Sequence, residues 1–131
     1  MDIEVNFREG QQLQASFGQF TVTSDQSKVI GGSEEFPEPF DYFLASLPLC
    51  ASYYVRQFCL KRDIDTSGIV IRQTHSSDEQ DKYKKHFALE IEVPDTFPKK
   101  YHKALIAAAN SCTAKKVIQA QPEFSVTLAE K

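Results

Sequence analysis

The chain carries no surplus of positive charge. Its 15 lysines and arginines face 18 aspartates and glutamates, for a formal net charge of -3. That leaves no basic field to hold nucleic acid or an anionic membrane surface. The first residues, MDIEVNFREG, alternate like a strand and do not read as a secretory leader. The most apolar stretch, Pro37 to Leu60, is broken by Asp41, Ser46, Pro48, Ser52 and Arg56, so no membrane span is expected. Cysteine is scarce and odd in number, at three. Without a leader, that reads as reduced thiols of a cytoplasmic protein and not as a disulfide scaffold. Cysteine and histidine show no C-x-x-C or H-x-x-x-H spacing, so no metal site is expected. There is no G-x-G-x-x-G, no Walker loop and no G-x-S-x-G elbow. Repeats, low-complexity segments and linkers are also missing, and 131 residues suit one domain, 1–131, with its own core.

What is present is organised around Pro37 to Leu60, PEPFDYFLASLPLCASYYVRQFCL. The pattern predicts one long helix. Glu38 stands at its N-cap, Pro39 at its first position, and Asp41 three residues after the cap. Lys61 and Arg62 close the other end, where positive charge suits the helix dipole. Apolar residues occupy nearly every direction around it, which calls for burial all round. One sheet covers one side of a helix in a small domain. The other side needs a second body, so the helix is expected at the centre of a dimer.

Period-two alternation predicts strands at Ile3–Phe7, Leu13–Phe17 and from Phe20. A loop follows over 24–38. After the helix, strands are expected from Ile69 to about Thr74 and over Phe87–Val93. Asp95 or Thr96 is expected to cap a second helix with Pro98 in its first turn. Asn110-Ser111 breaks it ahead of a shorter helix over Cys112–Ala120. Phe124, Val126 and Leu128 suggest a last strand. The order βββ-α-ββ-α-α-β is an α+β fold.

The chemistry, if any, lies with the thiols. Cys50 sits in the middle of the long helix, where that helix's own dipole gives no help and burial opposes ionisation. A reactive Cys50 therefore calls for a cation delivered from elsewhere; the bland alternative is a small buried hydrophobe. Pro48, two residues earlier, predicts a kink of the sort that marks functional sites. Cys112 would lie in the first turn of the shorter helix if Ser111 caps it, where the dipole favours a thiolate. On residues alone, Cys112 ranks as the more acidic thiol. Cys59 lies nine residues after Cys50, half a turn away in phase, and reads as structural. Arg8, beside a turn, and Asp41, in a first helical turn, have simple structural readings as a surface cation and a dipole partner.

Gly31-Gly32, Pro37-Glu38-Pro39, and Asp41-Tyr42-Phe43-Leu44-Ala45-Ser46-Leu47 leading to Cys50 resemble the OsmC/Ohr family. Tyr101, Ala104-Leu105, Ala108-Ala109, Cys112, Lys116-Val117 and Pro122-Glu123-Phe124 resemble its second half. The resemblance implies an OsmC-like intertwined homodimer around two long helices. It also implies a thiol peroxidase for organic hydroperoxides, in oxidative stress defence. Cys50 then becomes the peroxidatic thiol and Cys112 the resolving one. No bound cofactor is implied, only an external dithiol reductant such as a lipoyl group or a small thiol. Phe40, Phe43, Leu47 and Tyr54 would line an apolar substrate pocket. Arg8 resembles the family's thiolate-stabilising arginine. Phe40 stands where the well-characterised branch has a glutamate holding that arginine, and Asp41 follows one residue later. Leu47-Pro48-Leu49 replaces the small residues often found before the cysteine and would narrow the pocket. The alternative reading keeps fold and thiols in a redox sensor or small-ligand binder without turnover.

Overall fold

The computed structural model describes residues 1–130. It is an α+β chain of five antiparallel strands and three α-helices, in two compact units, Met1–Ala45 and Ser46 onward. The first unit is a three-stranded meander. Strands β1 (Glu4–Phe7), β2 (Leu13–Phe17) and β3 (Phe20–Ser24) pair in sequence, with Val5 opposite Ala15 and Ala15 opposite Val22. The alternation that predicted them puts these apolar residues on one face. Gly10 and Gly18 make the two reversals at φ +59 and +56, a region that suits glycine.

The loop after β3 is built on one carboxylate. Asp25 is only 1% exposed. Its oxygens accept the N–H groups of Gln26 (2.8 Å), Ser33 (3.3 Å) and Glu35 (3.2 Å). These bonds hold its carboxyl below the usual carboxylate range, the Gln26 N–H most of all. Gly32 is obligatory here, because a Cβ would stand 1.9 Å from the Gln26 carbonyl oxygen. The Glu38 carboxylate in turn accepts the Ser27 N–H at 3.1 Å.

Helix α1 (Pro39–Lys61) begins as the sequence predicts. The Glu38 N–H donates to Asp41 Oδ2 at 2.9 Å, and the Asp41 N–H to the Glu38 carbonyl at 3.0 Å. That is one arm of a capping box, with the acid reaching back to the cap. The helix runs unbroken through Pro48. At its end the Arg62 guanidinium donates to the Phe58 carbonyl at 3.2 Å and lies 3.8 Å from the Phe58 ring centroid.

In the second unit α1 buries one face: Leu47, Ala51, Val55, Phe58 and Cys59. The spacing i, i+4, i+8, i+11, i+12 is that of a helix stripe. Val55, Phe58 and Cys59 form a core with Phe97 and Leu105, flanked by Ile71, Ile91 and Tyr101. Each large apolar side chain there contributes about 1.5–3 kcal/mol. The hairpin of β4 (Val70–Ser77) and β5 (Lys85–Glu92) supplies Ile71 and Ile91 as a directly opposed pair. On α1, Leu49, Tyr53 and Leu60 remain 70%, 55% and 62% exposed. All-round burial is therefore not met within one chain.

Three expectations are corrected. The second helix does not start at Asp95 or Thr96; a 3-10 turn over Lys99–Tyr101 leads into α2 (His102–Ala109). The residue before a proline avoids the helical region, so Pro98 keeps Phe97 out of the helix. Ser111 does not cap α3 (Thr113–Gln119); its hydroxyl donates to the Ala107 carbonyl at 3.2 Å, and Cys112 caps instead. Phe124, Val126 and Leu128 form no strand and are 90%, 97% and 96% exposed. A strand needs a partner for its backbone, and the described residues of one chain provide none there.

Candidate thiol site

The second unit brings Cys50 and Cys112 together. Cys50 is half-buried on α1; Cys112 is buried in the cap of α3, 3% exposed. Neither is in a disulfide, and the two thiols lie close enough to shift each other's pKa. The break after α2 makes this possible. It turns the chain so that the first N–H groups of α3, which have no partner inside their own helix, face Cys50.

The electrostatics reverse the ranking that residue type suggested. Cys50 is pulled below an ordinary thiol, chiefly by the Ala114 N–H. Burial works against this, while the Cys112 thiol and the Thr113 N–H add to it. Cys112 is pushed up, first by burial, with the neighbouring Cys50 sulfur adding to that; the Lys115 N–H, at 3.4 Å from its Sγ, opposes. Backbone donors lower the Cys50 pKa in the way a cation was expected to. A sulfur that accepts such bonds is stabilised as a thiolate.

Tyr54 stands one helical turn after Cys50. Its hydroxyl and that of Thr113 lie 2.5 Å apart in a hydrogen bond. The sequence placed Tyr54 in a pocket but gave no role to Thr113 or Ala114. The one available signal was the adjacency of Thr113 and Ala114 to Cys112. Leu47, one turn before Cys50, is buried at 7% exposure. Phe40 and Phe43 belong to the first unit, where their rings stack at 5.4 Å. Arg8 and Asp41 are also in the first unit. Asp41 binds the Glu38 N–H, and no bond between Arg8 and Asp41 occurs among the described residues. A groove of about 400 Å³ is lined by Leu49, Ser52, Tyr53, Arg56 and Thr66, among others, and includes neither Cys50 nor Cys112. Cys59 is fully buried, and burial pushes its thiol up, with Arg62 opposing. Among the described residues no group of three or more histidine, cysteine, aspartate or glutamate side chains could hold a metal ion. Among the described residues no helix is long and apolar enough to cross a membrane.

The structure is thus an α+β fold that brings two free thiols together, one with a lowered and one with a raised pKa. The chain belongs to the OsmC-like protein family, whose model matches residues 31–127. Its fold is shared with a Psychrobacter arcticus 273-4 protein named for osmotic stress and detoxification response: TM-score 0.68, 19% identity, 87% of this chain and 85% of that one. An OsmC like protein of Mycoplasma pneumoniae gives TM-score 0.66 and 18% identity over 92% and 87%. An organic hydroperoxide resistance protein OsmC of Legionella pneumophila gives 0.58 and 14% over 91% and 90%. No curated protein matches the chain.

Proposed function

We propose that the chain is a thiol-dependent peroxidase for organic hydroperoxides, acting in oxidative stress defence. The observation that carries this is the pairing of two free thiols, Cys50 with a lowered pKa and Cys112 with a raised one, close enough to act on each other. The Legionella relative, named for organic hydroperoxide resistance, supports the same role.

The Cys50 thiolate attacks the terminal oxygen of a hydroperoxide. A sulfur–oxygen bond forms, the O–O bond breaks, and the alkoxide leaves as the alcohol after taking a proton. Cys50 is then a sulfenic acid. The Cys112 sulfur attacks it, the disulfide forms, and hydroxide leaves with the Cys112 proton as water. An external dithiol, of the lipoyl or small-thiol class, reduces the disulfide and is itself oxidised. No bound cofactor takes part.

In this reading the side chains of Leu47 and Tyr54, each one helical turn from Cys50, favour organic over inorganic peroxide; for Phe40, Phe43, Arg8 and Asp41 the family resemblance is what supports a role. The family model crosses the boundary between the two units, which supports one domain over 1–131. Homodimerisation is supported by the exposed Leu49, Tyr53 and Leu60, since a large apolar stripe left bare on a helix favours association. Reduced thiols fit the cytoplasm, and the net charge of -3 offers nothing to nucleic acid. A second reading, a redox sensor or small-ligand binder without turnover, is favoured by one observation: Asp41 is engaged with its own helix start and not with Arg8.

Thiol titration separates the two. One equivalent of organic hydroperoxide should remove two thiols per chain, and a dithiol should restore them through repeated cycles. Loss without repeated turnover supports the sensor. No loss of thiols refutes the peroxidase and the sensor and leaves the small-ligand binder.

A further inference from the structure

We infer that the Tyr54 and Thr113 hydroxyls form a positioning clamp that holds the first turn of α3, with its N–H groups, over Cys50. The inference rests on the reading of Cys50 as the reactive thiol and adds what keeps it reactive. Helix α3 has seven residues and follows a break at Asn110–Ser111. A helix that short has little stability of its own. Its cap is a thiol, Cys112, whose sulfur accepts the Lys115 N–H at 3.4 Å; sulfur is a weak acceptor. The Lys115 ammonium to Asn110 contact, 2.7 Å, ties α3 only to its own approach. The clamp reaches further. Tyr54 sits on α1, anchored by buried Ala51 and Val55, and bonds Thr113 across 59 residues of sequence at 2.5 Å. Tyr54 is one turn beyond Cys50, and Thr113 is next to Cys112. The hydroxyl bond therefore fixes the distance between the thiol's helix and the donors that face it. Tyr54 acts here through α3 and not on the sulfur.

The test is peptide-resolved alkylation of Cys50 by iodoacetamide across pH, on the full chain, with circular dichroism alongside. Tyr54→Phe removes one hydroxyl and keeps the ring. Thr113→Val removes the other and keeps the shape. Each should slow Cys50 alkylation at neutral pH about fivefold, the worth of one hydrogen bond, and move the midpoint upward. Thr113→Ser should restore the wild-type profile. The double variant should be no worse than either single one, because the two remove the same bond. An unchanged midpoint in both single variants, or additive losses in the double, overturns the clamp. Peroxide consumption is scored separately: a wild-type chain that consumes none refutes the peroxidase reading, while the alkylation profile still decides the clamp.

Discussion

Two thiols on α1, Cys50 and Cys59, differ in everything but residue type and helix. Around Cys59 the neighbours are Val55, Phe58, Phe97 and Leu105. They offer no polar partner, and burial alone raises its pKa. Around Cys50 the start of α3 presents the N–H groups of Ala114 and Thr113. Half a helical turn of phase separates a thiol whose pKa burial raises from one whose pKa backbone donors lower. What differs is which part of the chain comes to meet the sulfur. A long helix supplies sites, and the short element packed on it decides their chemistry.

The strongest way to break that contrast is to exchange the sulfurs for oxygen. Cys50→Ser should lower organic hydroperoxide consumption about a thousandfold or more, since it removes the nucleophile. Cys59→Ser should leave consumption near wild type; equal losses at the two positions would refute the assignment. Next in size, Cys112→Ser should allow a single burst and then stall, with a sulfenic acid on Cys50 that a sulfenate-specific trap labels. Continued turnover with a dithiol as sole reductant would remove Cys112 from the cycle.

The pH dependence sharpens the same contrast. Cys50 alkylation should reach half its maximum below the pH of an ordinary thiol, and Cys59 above it. For Cys59 the folded pKa is raised. Its contribution to stability is full below the unfolded thiol value and is lost as pH rises toward the folded one. Cys59→Ala should therefore flatten the alkaline fall in stability measured by urea melts, and an unaltered alkaline slope would contradict its burial. At neutral pH, Cys59→Ser should cost about 1–3 kcal/mol by placing a hydroxyl among apolar neighbours. The smallest effect is at the helix end. Arg62→Ala, which loses the cation over the Phe58 ring, should cost about 0.5–1 kcal/mol, read by the same melts.

Much of the framework was legible in the chain. Alternation marked the strands, and Glu38-Pro39 with Asp41 marked the start of α1. The break at Asn110-Ser111 was visible too, but not what filled it. Ser111 looked like the cap, yet its hydroxyl turns back to Ala107, and the cap falls to Cys112. Cys112 was ranked the more acidic because a helix start favours a thiolate. That rule takes no account of burial, nor of a second sulfur placed to receive the same N–H groups. The donors to Cys50 come from more than sixty positions away, and no local pattern encodes such a meeting. The apolar girth of α1 was legible but its cover was not. Leu49, Tyr53 and Leu60 stay bare in one chain, as do Phe124, Val126 and Leu128. Alternation predicts a strand, but only a partner edge completes one.

The most direct measurement is peptide mapping by mass spectrometry after one equivalent of an organic hydroperoxide is added to the fully reduced protein. The expected product is a Cys50–Cys112 disulfide within one chain, with Cys59 still a free thiol. A disulfide that includes Cys59, or a Cys50 that remains reduced while peroxide disappears, would contradict the account.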